Sequence, residues 1–229
     1  MMIDSDMTKS ISDVLNQITA NFISYLPLII TIFGSIGFIG NAFTYLQPEL
    51  RSNTCCIYSF SGSIIDFISL WLNLFPLFLS FAYRINIPMW GATIPCKIFG
   101  FLLFCLPHLS INCLIMAIID RFGATCSLTS SMRRLNQPKM VPIMIFIAII
   151  ISCLASIYNP IIFNFAPGIG CQPTQPTIAN ILYIILSGVS QPIVMLIFVL
   201  LTYRNIRISR QRVVSSDREY LQIKIYNVF

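Results

Sequence analysis

Apolar side chains run almost without interruption through five stretches of the chain, 22–46, 55–83, 94–120, 140–165 and 178–203. Each exceeds the ~20 residues that a helix rising ~1.5 Å per residue needs to cross a hydrocarbon core of about 30 Å. The short, alternating segments of a membrane barrel are absent from the pattern, and a continuous apolar run satisfies its own backbone only as a helix. The pattern therefore predicts an all-α, polytopic transmembrane helix bundle. Residues 1–21 are polar, with Asp4, Asp6 and Asp13 against Lys9, the reverse of a secretory signal's basic start, and are expected to form an extracellular amino-terminal segment. Residues 204–229 mix Arg, Ser, Asp and Glu and are expected to form a cytoplasmic tail. That tail should extend the fifth helix, with Arg204, Arg207 and Arg210 along one side, and then become weakly ordered.

Composition points the same way. Of the 229 residues 56% are hydrophobic and 10% are charged, less than half the charged share of a soluble domain, so a water-facing surface could not be covered. The net charge of +6 would suit a nucleic-acid partner if the charges formed a patch, but they sit in clusters between apolar runs. Those clusters set orientation instead. With the amino terminus outside, Arg51, Arg121, Arg133, Arg134, Lys139, Arg204, Arg207, Arg210, Arg212, Arg218 and Lys224 fall inside, and only Lys9, Arg84 and Lys97 fall outside. The carboxyl terminus is then cytoplasmic, and the partner of the chain's surface is the lipid bilayer rather than nucleic acid.

Two features mark the third span. Asp120-Arg121-Phe122 closes it at the inner edge, and Cys96 stands 25 positions earlier, ~38 Å away along a helix and close to a full membrane thickness. Cys171 lies in the Pro/Gly-rich outer loop between spans four and five. This topology places only Cys96 and Cys171 in the oxidising compartment, so a Cys96–Cys171 disulfide is expected to pin the loop over the third helix. The remaining six cysteines lie within spans or near the inner face, and none forms a Cys-x-x-Cys metal spacing.

Gly40-Asn41 in span one, Asp66 within Ser-Ile-Ile-Asp in span two, Trp90 before Cys96, Asp120-Arg121-Phe122, the loop Cys171 and Pro192 in span five occur in a characteristic order. In that order and spacing the chain resembles the rhodopsin-like (class A) G-protein-coupled receptors over about residues 22–212. The resemblance implies a rhodopsin-like fold lacking helices six and seven. It implies that Asn41, Asp66 and Ser110 form a polar network, with Asp66 the candidate for a sodium ion and no other cofactor or metal expected. Depth agrees, since Asp66 and Ser110 each lie about 11 residues from the inner end, ~16 Å in. It also implies that Asp120, Arg121 and Phe122 couple to a heterotrimeric G protein in full-length form, and that Pro192 distorts the fifth helix.

Departures from the family narrow the reading. Phe122 replaces the usual tyrosine, keeping the ring and losing the hydroxyl. Ile150 and Ile151 stand where a tryptophan is usual, and Leu103 replaces the aspartate of amine receptors, which disfavours an amine ligand. The unknown extracellular ligand is expected to be a peptide or lipid-like molecule, because the outer spans offer Phe, Leu, Ile and Tyr with few charges. His108, beside Pro107, reads as a buried, structurally bonded histidine. No sixth span with a Trp-x-Pro hinge and no seventh with Asn-Pro-x-x-Tyr occurs before Phe229. The expectation is a plasma-membrane receptor whose relatives couple ligand binding outside to G-protein activation inside, this chain being a signalling-incompetent fragment. The alternative is a non-signalling membrane protein that associates with an intact receptor. An enzyme is not expected: the spans hold one deep carboxylate and one histidine, short of a catalytic set.

Overall fold

The computed structural model describes residues 3–83, 92–126, 132, 137–166 and 170–226. Trp90, Arg84, Arg133 and Arg134 lie outside the described residues, as do the side chains of Lys9 and of the tail beyond Ile208. Five helical stretches are long and apolar enough to cross a membrane: Ser24–Tyr45, Thr54–Tyr83, Thr93–Thr125, Pro138–Ile162 and Pro176–Ile208. The architecture is a mostly helical bundle of the multi-pass type.

The first helix, α1 (Ile3–Tyr45), is continuous, so the polar segment 1–21 is from Ile3 onward its first half. Pro27 removes one backbone donor inside it. Thr31 Oγ1 donates to the Pro27 carbonyl at 2.7 Å and Ser35 Oγ to the Thr31 carbonyl at 2.7 Å, an arrangement that keeps small hydroxyls satisfied against their own helix. α2 spans Thr54–Tyr83 and α3 spans Thr93–Thr125. α3 runs further than the apolar pattern indicates: it ends where the Cys126 N–H bonds the Gly123 carbonyl, so Asp120-Arg121-Phe122 sits one turn inside the helix rather than at its close.

Span four ends earlier than 165. After a short 3₁₀ turn at Pro138–Met140, α4 covers Val141–Ser156, and a single turn, α5 (Asn159–Ile162), follows. Phe163–Ala166 is then a strand, β1, paired antiparallel with β2 (Gly170–Pro173), with Phe165 opposite Cys171. Phe163 is buried, Asn164 exposed, and Phe165 and Ala166 half-buried, and the pattern of so short an apolar run does not distinguish a strand from a helix end. The bundle therefore carries one small hairpin that the all-α expectation omits.

Span five is composite: α6 (Pro176–Tyr183), a π-helical stretch at Ile184–Ser190, and α7 (Gln191–Tyr226). The tail expected to become weakly ordered is helical through Tyr226. α3 is the hub of the bundle, touching α2, α4, α7, α5 and β1, whereas α1 packs against α2. Large apolar side chains such as Phe33, Phe43, Phe146, Leu154, Leu196 and Leu200 point outward, while Ser69, His108, Ser110, Asp120, Ser152 and Gln191 are buried. That inversion suits a lipid solvent, in which helices associate through small and hydrogen-bonding side chains.

Candidate functional site

At the amino-terminal end of α3, Cys96 and Cys171 form the expected disulfide, with Cα atoms 5.5 Å apart. The bridge ties β2 to the first turn of α3, and β1 completes the attachment. Phe163 covers Gly100, where an added Cβ would lie 2.7 Å from the ring, and stacks edge-on against Phe104 at 5.9 Å. Phe104 in turn meets Tyr183 at 5.4 Å. The hairpin thus closes the outer side of the α3–α6 contact with aromatic rings.

A turn deeper lies a polar cluster whose partners the sequence does not announce. His108, 2% exposed, has Nδ1 3.1 Å from Gln191 Nε2 and Nε2 3.2 Å from Ser187 Oγ. With Nδ1 accepting from the Gln191 amide, the ring proton is assigned to Nε2 and is donated to Ser187. Tyr183 meets the imidazole edge-on at 6.5 Å. Ser187 lies in the π-helical stretch, and Gln191 follows it immediately. Pro192 accounts for the irregular winding: it has no N–H for the Gly188 carbonyl, and its ring crowds that carbonyl, so the turn before it widens. The only sequence signal near this cluster is Pro192, which marks the irregular turn but not the partners of His108.

Asn41 and Asp66 line a groove of about 360 Å³ between α1 and α2, together with Gly34, Gly37, Ser63 and Ser69. Asn41 Nδ2 donates to Ser63 Oγ at 3.1 Å. Asp66 faces the Ser110 hydroxyl, which itself donates to the Gly62 carbonyl at 3.2 Å, so Asp66 stands between the two other residues. Asn41 and Asp66 are exposed on the open side of the groove, whereas Ser110 is buried. Asp66 and Ser110 supply two oxygens of the about six that a hard cation takes. Their fit to sodium is partial.

At the inner end, Asp120 is 6% exposed and accepts a hydrogen bond from Thr54 Oγ1 at 2.8 Å. This links the first turn of α2 to the last turns of α3. Arg121 points the other way, into a groove of about 500 Å³ lined by Cys55 and Ser59 of α2, Leu114, Ala117 and Ile118 of α3, and Met195, Val199 and Tyr203 of α7. Phe122 packs edge-on against Phe198 at 5.7 Å. The three residues of the triplet thus hold three directions: Asp120 to α2, Phe122 to α7, and Arg121 to the open groove. Among the described residues no group of three or more His, Cys, Asp or Glu is placed to hold a metal ion. Comparison with known protein families and with curated proteins finds no match.

Proposed function

We propose that residues 22–212 are the first five helices of a rhodopsin-like receptor of the plasma membrane, amino terminus outside and carboxyl terminus in the cytoplasm. One observation carries this reading: a single helix, α3, holds a disulfide to the fourth-to-fifth loop at one end and an Asp-Arg-Phe triplet at the other, with Arg121 lining a groove. In such a receptor an extracellular ligand shifts the population between two bundle arrangements, and the arginine side of α3 receives the G protein. The apolar, aromatic character of Phe104, Phe163 and Tyr183 at the outer end favours a peptide or lipid-like ligand over an amine. The switch of the full-length family uses a sixth helix moving against Arg121, so signalling requires such a helix beside it. Two open grooves, beside Asn41 and beside Arg121, also support a second role, association with another membrane protein through these faces.

The test is a chimera joining residues 1–212 to the sixth and seventh spans of a rhodopsin-like receptor. Nucleotide exchange on a panel of G proteins should appear in the chimera, vanish with Arg121→Ala, and be absent from the 1–229 chain. A chimera that reaches the cell surface with a cooperative melt and shows no Arg121-dependent exchange would overturn the reading.

A further inference from the structure

The groove at the inner end combines features that a bilayer component satisfies more fully than a protein does. Its walls are apolar along Leu114, Ala117, Ile118, Met195 and Val199, and its one charge is the Arg121 guanidinium. From Met195 to Ile206 it follows α7 for ~16 Å, about half of a 30 Å hydrocarbon core, so it covers one leaflet. Arg121 stands toward the end where the spans stop, beside Tyr203, a residue type that favours the headgroup level, and near the exposed Arg204 and Arg207. Asp120, the neighbouring carboxylate, accepts a hydrogen bond from Thr54 and also acts on Arg121 through its charge.

We propose that this groove between α2, α3 and α7 is a binding site for an anionic phospholipid, its phosphate paired with Arg121 and one acyl chain lying along Leu114, Ile118, Met195 and Val199. Arg121 is exposed beside the groove, and its planar fork matches a phosphate with two parallel hydrogen bonds. Shape and charge favour this occupant: an apolar strip about one leaflet long ends beside a guanidinium, the order of acyl chain and phosphate in a phospholipid. The basic residues near the mouth raise the local concentration of anionic headgroups. This goes beyond the receptor reading and does not depend on it, since it needs only that the five helices sit in a bilayer.

The experiment is native mass spectrometry of the 1–229 chain titrated with phosphatidylserine and, separately, phosphatidylcholine. Phosphatidylserine should occupy one site at least tenfold more tightly than phosphatidylcholine. Arg121→Ala should remove that preference, and Val199→Trp, which fills the groove and leaves every charge in place, should weaken the same site about tenfold. Arg204→Ala, outside the groove, should change it less than twofold. Should Arg121→Ala fail to fold, Val199→Trp carries the test, because Val199 is exposed and its replacement spares the core. The proposal is overturned if Val199→Trp leaves binding unchanged or if Arg204→Ala abolishes it, which would mean surface attraction alone. Equal binding of glycerophosphoserine, which has no acyl chain, would overturn it too. These readouts involve no G protein, so they fail independently of the receptor assay.

Discussion

The first and third helices have similar hydropathy and both can cross a membrane, yet their surroundings are opposite. In its most apolar window 39% of α3 is buried, against 11% of α1. α3 carries its polar side chains inward on several sides: Ser110 to α2, Asn112 to Ser152 of α4 at 2.8 Å, and His108 to the fifth span. Among the described residues α1 packs mainly against α2, through pairs such as Trp71 Nε1 donating to Ser35 Oγ at 3.3 Å and Phe38 stacked on Phe67 at 4.5 Å. In lipid, then, apolarity says that a helix crosses, and polar or small residues say which helix is the hub. The glycines make the same distinction. A Cβ at Gly100 would meet the Phe163 ring at 2.7 Å and one at Gly62 would sit tightly at 3.3 Å from the Ser110 carbonyl of α3, while Gly37 and Gly40 face open space.

The largest effect should come from releasing the outer end of the hub. Replacing Cys96 and Cys171 together by Ser opens a closure of 75 residues, and chain entropy assigns such a bridge about 2–5 kcal/mol. Thermal melting in nanodiscs should show a lower midpoint for the double variant and an unchanged one for Cys126→Ser, since Cys126 is a free thiol at the opposite end. An equal midpoint for the double variant would mean that Phe163 on Gly100 holds the hairpin by itself.

Much of this architecture is legible in the sequence. The five runs, the cysteine pair and the triplet with its arginine follow from hydropathy, side of the membrane and spacing. What the sequence does not carry is direction. Asp120 and Arg121 are neighbours in the chain and diverge in space because a helix turns ~100° per residue, sending one to Thr54 and the other into the groove. The pairing of β1 with β2 was hidden because the four residues of β1 look like the end of a longer apolar run. The partners of His108 depend on a local change of winding, which shifts Ser187 and Gln191 relative to a regular helix and has no signature beyond Pro192.

A smaller loss should follow from widening the contact between hub and neighbour. A Cβ at Gly62 would lie 3.3 Å from the Ser110 carbonyl oxygen and 3.4 Å from Cys113 Cβ, so Gly62→Leu must push α2 away from α3. Overpacking of this kind costs about 1–3 kcal/mol. Cys113 is fully buried at this contact and therefore serves as the reporter. Its reaction with a thiol-specific dye should begin at a lower temperature in the variant, and unchanged protection would mean that the two helices separate without cost.

The smallest effect is the most informative about the open side. Nothing lies within 4 Å of a Cβ built at Gly37, whereas one at Gly34 meets the end of the flexible Leu70 side chain. Gly37→Leu should therefore leave the melting midpoint of the 1–229 chain within about 0.5 kcal/mol of the parent, with better helix propensity offsetting any lost freedom. The added side chain would project into the groove beside Asn41 and Asp66, where only lipid or another span can meet it. Measured in nanodiscs holding single chains and again in cell membranes, the variant separates the two occupants. No change in either setting leaves α1 facing lipid. A loss above about 1 kcal/mol that appears only in cell membranes would place another helix against Gly37, and α1 would then have a second packing face as α3 does.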